Sequence, residues 1–176
     1  VQHCAAFLFP EMTMSFKTPD LCDEFEPELG KTVRVVAPMF QRYGSRAAFS
    51  GEIVTLKIFE DNSFVREALA EGGAGKVLVI DGGGSLRCAL VSDQLAILAR
   101  KNGWAGIVVY GCIRDSGDIN GIDIGVRALN THPQKSIKKG VGDRDIAVTF
   151  GGVTFNPGEW LYADEDGVLV SGKPLC

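Results

Sequence analysis

The sequence predicts a single-domain α/β fold, and three observations lead to that fold class. The 176 residues correspond to about one domain, and no internal repeat or linker divides them. Short apolar runs typical of buried strands alternate with segments that repeat apolar residues at helical spacing. Glycine is abundant, with 22 residues that follow no collagen-like or low-complexity period, so tight turns and close backbone crossings are expected.

The composition excludes several classes of protein. A hydrophobic content of 45% with 23% charged residues is too apolar for a disordered chain. No apolar run reaches the roughly 18 residues of a membrane span. The net charge of -4 does not attract nucleic acid, and the five scattered cysteines suit a reducing compartment rather than a disulfide framework. We therefore expect a cytoplasmic protein with no membrane and no direct nucleic-acid partner.

The N-terminal half contains the first predicted elements. Residues 1–13 fit poorly with the rest of the chain and are interpreted as an extension outside the fold, so the domain comprises residues 14–176. A helix begins at Thr18-Pro19-Asp20, since proline is favoured in a first turn. Ser50–Phe59 alternates like a half-buried strand, and Ser63–Glu71 repeats apolar residues like a helix that Gly72-Gly73 ends.

Two buried strands with a helix between them form the predicted centre. Lys76–Ile80 and Gly106–Tyr110 are short and almost entirely apolar, which is typical of strands covered on both faces. Between them, Ser92–Asn102 has an apolar face, with Ser92 as the predicted N-cap and Gly103 at its end.

The C-terminal part is predicted to be rich in strands. Ile124–Asn130 is interpreted as a short helix, and it is followed by strands at Ile146–Phe150, Val153–Phe155 and Val168–Val170. The acidic stretch Asp164–Gly167 resembles a cation loop but is more simply the turn of a hairpin.

Three features near these elements have both a structural and a functional interpretation. Asp81–Ser85 comes after a buried strand but lacks the phosphate-loop and dinucleotide motifs, so it is either a close backbone crossing or a ligand loop. The helix start at Ser92, Asp93, Gln94 and Leu95 is either a simple cap or a site where free amides bind a carboxylate. Lys135–Lys139 is either a solvated patch or a cationic segment at the entrance through which an anionic substrate reaches its site.

Arg114 and Asp115, with Asp118 three residues later, form the most suggestive group. They come directly after the second buried strand, at the edge of the sheet where α/β proteins bind ligands. An arginine there can bind a carboxylate through two hydrogen bonds while an aspartate holds a divalent cation, which suits chemistry on a 2-oxo acid. The alternative is an ordinary surface salt bridge.

Several segments together resemble the RraA-like family, which includes the regulator of ribonuclease activity A and class II 4-hydroxy-4-methyl-2-oxoglutarate aldolases. The resemblance runs from about Thr18 to Ser171. It is carried by VLVIDGGGSLRCAL, NGWAGIVVYGCIRD, INGIDIGVRAL, FGGVTF and GEWLYADEDGVLVS. It implies an α/β/β sandwich assembled as a homotrimeric ring with active sites between subunits.

The resemblance also implies site residues and a cofactor. Family aldolases carry a Gly, twenty residues, Arg-Asp, two residues and an acid, and they use Mg²⁺ or Mn²⁺. Here Arg114, Asp115 and Asp118 match, so Arg114 and Asp115 become the expected catalytic residues, with Asp115 on the metal and Asp118 near its waters. Arg114 and residues 92–95 would bind the substrate. Asp93 stands where the motif has Gly, which puts the tightness of the carboxylate pocket in question.

The resemblance leaves two functions open. The first is a metal-dependent aldolase that cleaves 4-hydroxy-4-methyl-2-oxoglutarate to pyruvate and decarboxylates oxaloacetate. The alternative is a non-catalytic inhibitor of ribonuclease E, binding that nuclease or an RNA helicase of the same machinery. Family regulators lack the Arg-Asp pair, and this chain keeps it, so the sequence favours the enzyme.

Overall fold

The structure is a computed structural model, and it describes residues 15–176. The predicted extension of residues 1–13 lies outside the described residues. None of the helices in the described part is long and apolar enough to cross a membrane.

Short helices and many short strands make up the described chain. The α-helices are α1 (Thr18–Glu24), α2 (Ser63–Ala70), α3 (Asp93–Lys101) and α4 (Ser116–Ile119), and a 3-10 helix spans Glu26–Glu28. The strands of the first half are β1 (Val33–Val35), β2 (Gln41–Tyr43), β3 (Phe49–Lys57), β4 (Val77–Asp81), β5 (Ala89–Val91) and β6 (Gly106–Ile113). Those of the second half are β7 (Gly125–Thr131), β8 (Asp143–Arg144), β9 (Val148–Phe150), β10 (Val153–Phe155), β11 (Trp160–Ala163) and β12 (Val168–Ser171).

One large sheet organises the fold. Its order is β1-β12-β11-β3-β4-β6-β7-β2, with β5 paired to β6 and β8 paired to β3, while β9 and β10 form a separate hairpin. The neighbours β3, β4, β6 and β7 pair in parallel, and so do β5 and β6. The remaining pairs of the sheet, which involve β1, β2, β8, β11 and β12, are antiparallel. The carboxyl ends of the parallel strands therefore lie along one edge, where a ligand site is expected.

Three layers form around the parallel strands because their side chains alternate between two cores. On β4, Leu78 and Ile80 pack with apolar side chains of α2 and α3. Val77 and Val79 face the opposite way and pack with β11, β12 and the β9–β10 hairpin. Helices, central sheet and second β layer thus give the α/β/β arrangement that the family resemblance implied.

The helix α1 starts where the sequence predicted, although its cap comes from a distant residue. Asp164 Oδ2 accepts a hydrogen bond from the Thr18 backbone amide at 2.6 Å, and Asp164 Oδ1 accepts one from Thr18 Oγ1 at 2.7 Å. The Asp164 amide also bonds to the Gly167 carbonyl at 3.1 Å, which closes the hairpin between β11 and β12. The predicted turn at Asp164–Gly167 is therefore confirmed.

The predicted helix at Ile124–Asn130 is wrong. Most of this segment is β7, which pairs in parallel with β6 and antiparallel with β2. Val126 and Ala128 point into the core below the helices, whereas Arg127 between them is buried on the other face. The ladder with β6 overrides the local preference of this short segment.

Two glycines on neighbouring strands provide a flat platform for the ring of Phe49. Gly106 and Gly125 are register partners on β6 and β7. A Cβ atom at either position would fall inside the Phe49 ring, while the Arg127 guanidinium lies 5.1 Å from the ring centroid. Neither glycine has a positive φ, so glycine is needed here for close packing rather than for backbone conformation.

We expect Gly125→Ala to lower the free energy of unfolding by about 1–3 kcal/mol, because the new methyl group overpacks against Phe49. Urea unfolding followed by circular dichroism measures this change. Gly72→Ala is the matched control, since a Cβ there meets nothing within 4 Å and should shift stability by less than about 0.5 kcal/mol. Equal free energies of unfolding for Gly125→Ala and Gly72→Ala would contradict the close packing of Phe49 against Gly125.

Candidate functional site

Arg114 and Asp115 lie immediately beyond the end of β6. The sequence predicted that this strand ends at Tyr110, but it continues to Ile113 by pairing with β5 and β7. The Arg114 amide donates to the Val91 carbonyl at 2.9 Å. Asp115 then adopts a left-handed conformation with φ 56°, which turns the chain into α4. Aspartate tolerates this conformation better than most residues, and such positions cluster at functional sites.

The Asp115 carboxylate lies at the first residue of α3. Its Oδ2 atom accepts a hydrogen bond from the Asp93 amide at 3.5 Å and lies 3.8 Å from Arg114 Nε. Both side chains of the Arg114–Asp115 pair are about one-third exposed or more, at 36% and 38%. The Asp115 carboxylate therefore lies between the amino end of α3 and the Arg114 guanidinium. The two predicted catalytic residues and the predicted helix start are thus in one place.

The side chain of Asp93 occupies part of the same helix start. Its Oδ1 atom accepts a hydrogen bond from the Gln94 amide at 2.8 Å, and its Oδ2 atom accepts one from Gln94 Nε2 at 3.3 Å. Ser92 precedes the helix in extended conformation, without a side-chain capping bond. The amides of Asp93 and Gln94 therefore already face protein carboxylates, whereas Ser92 and Leu95 line an adjacent cavity.

That cavity has a volume of about 110 Å³ and is strongly cationic. This volume is several times that needed to hold one ordered water molecule. Four of its ten lining residues are cationic, namely Arg66, Arg114, Lys135 and Lys138, and none is acidic. A chain with an overall charge of -4 has therefore concentrated positive charge at this site.

The two lysines lie on a loop that Asp61 and Ser63 hold in place. Asp61 Oδ2 accepts hydrogen bonds from the amides of Lys139 and Val141, at 2.9 and 3.1 Å. Ser63 Oγ accepts one from the Gly140 amide at 3.1 Å. Asp61 is only 3% exposed. The wall of the cavity is thus fixed through its backbone, which leaves the lysine side chains available.

The ionised form of Asp61 is strongly favoured. Burial by itself raises the pKa of this carboxyl group, but the hydrogen bonds from Ser63, Val141 and Lys139 outweigh burial. Together they hold the pKa of Asp61 well below its ordinary value of 3.8.

Asn62 and Arg66 complete the cavity, and the sequence did not single them out. Asn62 Nδ2 donates to the Leu90 carbonyl at 3.1 Å, and its backbone amide donates to Ser136 Oγ at 3.2 Å. Asn62 Oδ1 is buried and finds no donor among the described residues. Arg66 lies one turn into α2 on an exposed position. The only signal in the sequence was a cation after the Glu60-Asp61-Asn62 turn, which is too common to indicate a site.

A family model described as RraA-like, Aldolase/RraA, matches residues 18–170. The chain belongs to the RraA-like family.

Relatives and solved structures in this family carry different names. Chains from Dechloromonas aromatica (strain RCB) and Pseudomonas aeruginosa (strain LESB58) are 85% and 60% identical over 162 residues. The aligned part covers 92% of this chain in both cases, and 99% and 98% of those relatives. Both relatives are provisionally named 4-hydroxy-4-methyl-2-oxoglutarate aldolase.

Two solved structures have closely similar folds. The first, from Geobacillus kaustophilus HTA426, is described as S-adenosylmethionine:2-dimethylmenaquinone methyltransferase. It has a TM-score of 0.87 and 49% identity, with 91% of this chain and 97% of that chain covered. The second is the RNA-processing inhibitor RraA from a Thermus species, with a TM-score of 0.86, 45% identity and coverage of 92% and 95%. Because the names differ, the function of this RraA-like chain has to be inferred from its site.

The acid groups at the start of α3 suit a divalent cation in this RraA-like site. Mg²⁺ is usually held by one or two carboxylates, with water completing its shell. Asp115 Oδ2 lies 3.5 Å from the Asp93 backbone amide, so both residues are at the start of α3, and the exposure of Asp115 leaves room for water. Within residues 15–176 no group of three or more histidine, cysteine or acidic side chains comes together. A cation here would therefore be held by Asp115, with Asp93 on the same helix start, and otherwise by water.

Two other predicted features lie apart from the cationic cavity. Asp118 is exposed on α4 and does not line the cavity, so its place near the metal's waters stays a prediction. The glycines after β4 serve a close backbone crossing, as one of the two interpretations expected. A Cβ on Gly82 would lie 2.8 Å from the Tyr110 carbonyl oxygen, to which the amides of Gly82 and Gly84 both donate at 3.1 Å.

We expect Asp61→Asn to lower the free energy of unfolding by about 1–3 kcal/mol at pH 7, because the backbone amides of Ser63, Lys139 and Val141 lose an ionised acceptor. Since folding lowers the pKa of Asp61, its contribution is present above pH 3.8 and falls as the pH drops below that value. Urea unfolding at pH 7, 5 and 3 measures the difference in free energy of unfolding between wild type and Asp61→Asn. This difference should be smaller at pH 3 than at pH 5 or 7. Glu165→Gln, at an exposed position, is the control, and a constant difference across these pH values would refute this role of Asp61.

Proposed function

We propose that this protein is a divalent-metal-dependent lyase that cleaves 4-hydroxy-4-methyl-2-oxoglutarate to two molecules of pyruvate and decarboxylates oxaloacetate in the cytoplasm. The observation that carries this proposal is the Arg114–Asp115 pair at the start of α3, beside a cavity with four cationic side chains and no acidic one. The names of the relatives with 85% and 60% identity agree with it.

Arg114 binds the reactive end of the substrate in this proposal. Its guanidinium lines the cavity while its Nε atom lies 3.8 Å from Asp115, so it can contact a carboxylate and the neighbouring keto oxygen together. When the C3–C4 bond breaks, the 4-hydroxyl group loses its proton to water and C4 becomes the keto carbon of the first pyruvate. The electron pair of the broken bond moves toward the keto oxygen of the other fragment, where Arg114 stabilises the negative charge. This enolate then takes up a proton from water at C3, which gives the second pyruvate. Decarboxylation of oxaloacetate uses the same electron flow, with carbon dioxide as the leaving group.

Asp115, with Asp93 beside it, would hold Mg²⁺ or Mn²⁺. The bound ion would supply Lewis-acid polarisation of the keto group. Ser92 and Leu95 contribute to the wall of the cavity next to Arg114, where the Leu95 backbone amide in the first turn of α3 would orient the substrate carboxylate. The Asp93 and Gln94 amides bind protein carboxylates instead, so the helix start serves the metal ligands more than the substrate.

Asn62 fits a hydroxylated substrate. Its buried Oδ1 atom can only accept a hydrogen bond, and the described chain provides no donor for it. Because this atom is closed off from solvent, the Asn62 side chain would have to shift on binding for the 4-hydroxyl group of the proposed substrate to supply the donor.

Pyruvate formation tests this function directly. We expect the purified protein to release pyruvate from 4-hydroxy-4-methyl-2-oxoglutarate and from oxaloacetate with Mg²⁺, and EDTA to abolish both activities. Asp115→Asn should lower kcat/KM by roughly 100-fold or more, because a carboxylate that holds the metal is lost. Asp166→Asn, on the exposed turn after β11, is the control and should retain activity.

The alternative is an inhibitor of ribonuclease E, and the 45% identity to the RNA-processing inhibitor RraA from Thermus is the observation that favours it. The same assays separate the two functions. Oxaloacetate turnover that is no faster with wild type than with Asp115→Asn, together with binding to the scaffold region of ribonuclease E, would establish the inhibitor instead of the lyase.

We also propose a homotrimer, as the family resemblance implies. Phe59, Leu86, Ile137 and Val141 are large apolar side chains with exposures of 56–66%, all on loops near the carboxyl edge of the parallel strands. Such exposed apolar groups mark interaction surfaces.

Light scattering should give a mass three times that of one chain. Ile137→Glu should lower the measured mass toward that of one chain, whereas Val35→Glu, an exposed control on β1, should leave it unchanged. A monomeric wild type would refute the trimer.

A further inference from the structure

A second cavity lies apart from the cationic one and shares no lining residue with it. It has a volume of about 270 Å³ and lies between residues 35–40, which lead from β1 to β2, and the turn at Asp164–Gly167. Seven of its thirteen lining residues are apolar, two are cationic and three are acidic. The proposed lyase reaction uses none of them. A lining of this kind suits a small ligand that has both charged and apolar parts.

Arg42 and Arg127 lie side by side on one wall of this second cavity. They are register partners on the antiparallel strands β2 and β7, so their side chains are on the same face of the sheet. No ion pair found among residues 15–176 involves either of them. Like charges directly opposite each other on neighbouring strands are destabilising. A carboxylate bound between the two guanidinium groups would remove this repulsion.

Arg127 is buried without a carboxylate partner. It is only 2% exposed, and its guanidinium donates to the backbone carbonyls of Val126, Ala47 and Asp164 at 3.2, 2.8 and 3.0 Å. Its Nε atom donates to no acceptor within the described chain. Burial and, after it, the positive charge of Arg42 lower the pKa of Arg127 to about 10. Because a buried charge without a partner is costly, the carboxylate of a ligand would be favoured here.

The acidic turn between β11 and β12 forms another wall. The Asp164 carboxylate is already occupied, since it accepts hydrogen bonds from Thr18 and from the amides of Asp166 and Gly167. Glu165 is exposed, and its carboxylate forms no ion pair with a described residue. Glu165 is therefore available to bind an ammonium group.

The cationic wall and the acidic wall meet at one point. Arg127 donates to the Asp164 carbonyl at 3.0 Å, and Asp164 directly precedes Glu165 in the chain. A site for a carboxylate and a site for an ammonium group are therefore neighbours, as the two charges of an α-amino acid are. Met39 and Phe40 line the remaining space with apolar surface, and a methionine adapts to groups of different shape.

We propose that this second cavity binds a free α-amino acid with an apolar side chain. Arg42 and Arg127 bind its carboxylate, and Glu165 binds its ammonium group. Met39 and Phe40 contact its side chain. A ligand with both charges satisfies both walls, whereas a simple anion would be repelled by the acidic turn and a simple cation by the arginines. The inference is independent of the proposed function, because it rests on no residue of the Arg114–Asp115 site.

Calorimetry with L-leucine and two matched analogues tests the need for both charges. 4-Methylpentanoate keeps the carboxylate and the apolar chain but lacks the ammonium group, whereas 3-methylbutan-1-amine lacks the carboxylate. Each analogue should bind about 10- to 100-fold more weakly than leucine, the loss expected for one charge-assisted hydrogen bond. Glycine, which lacks the apolar group, should also bind about 10-fold more weakly or worse.

Single-charge variants assign the two charges of the ligand to residues. Arg42→Gln should weaken the binding of leucine and of 4-methylpentanoate by about 10-fold and change that of the amine by less than about twofold. Glu165→Gln should instead weaken the binding of leucine and of the amine. Both positions are exposed, so neither variant should impair folding. Arg100→Gln, at an exposed position in the last turn of α3, is the control and should change no dissociation constant.

Three results would overturn this site. One is the absence of leucine binding at concentrations up to about 10 mM. Another is 4-methylpentanoate that binds wild type as tightly as leucine does, which would make the cavity a site for simple carboxylates. The third is loss of leucine binding in Asp115→Asn, since leucine would then occupy the cationic cavity at the start of α3. Failure of the lyase assays would leave all of these measurements unaffected.

Discussion

The candidate site depends on the hydrogen bond of 2.9 Å from the Arg114 amide to the Val91 carbonyl, because this contact joins the end of β6 to the end of β5. Ser92 comes after β5 and leads into α3, so the contact places the Arg114–Asp115 pair at the start of that helix. The left-handed turn at Asp115 then brings its carboxylate to the Asp93 amide. An arginine, two carboxylates and a helix dipole thus meet at one edge of the sheet.

Separation of charge is the second property on which the site depends. The carboxylates of Asp93 and Asp115 lie at the helix start, whereas the adjoining cavity is lined by cations and neutral residues. Repulsion between the lysines would open the loop that carries them if only side chains held it. The buried Asp61 carboxylate avoids this problem by binding the loop through backbone amides. The Asp61 carboxylate thus holds the loop, while the cationic side chains that line the cavity remain available for a ligand.

Local patterns predicted the central elements well and failed where pairing between distant strands decided the outcome. The apolar runs of β4 and β6 and the amphipathic α3 were predicted because burial imposes a period that the sequence displays. β7 was mistaken for a helix because the segment is short and only its pairing with β6 and β2 makes it a strand. The role of Gly125 was equally hidden, because its partner Phe49 is far away in sequence. The cations of the cavity come from α2, the end of β6 and the loop after β7, so no spacing reveals them as a group.

Residue types and spacings within short segments were enough to predict the α/β class, the family resemblance and the position of Arg114 and Asp115 at a strand end. The surroundings of that pair depend on contacts between distant parts of the chain. Arg66 and Lys138 share a cavity with Arg114 because parallel pairing aligns the ends of separate strands and because Asp61 joins α2 to the lysine loop. Such contacts join residues that are far apart in the sequence, and no local sequence pattern at either residue identifies the other.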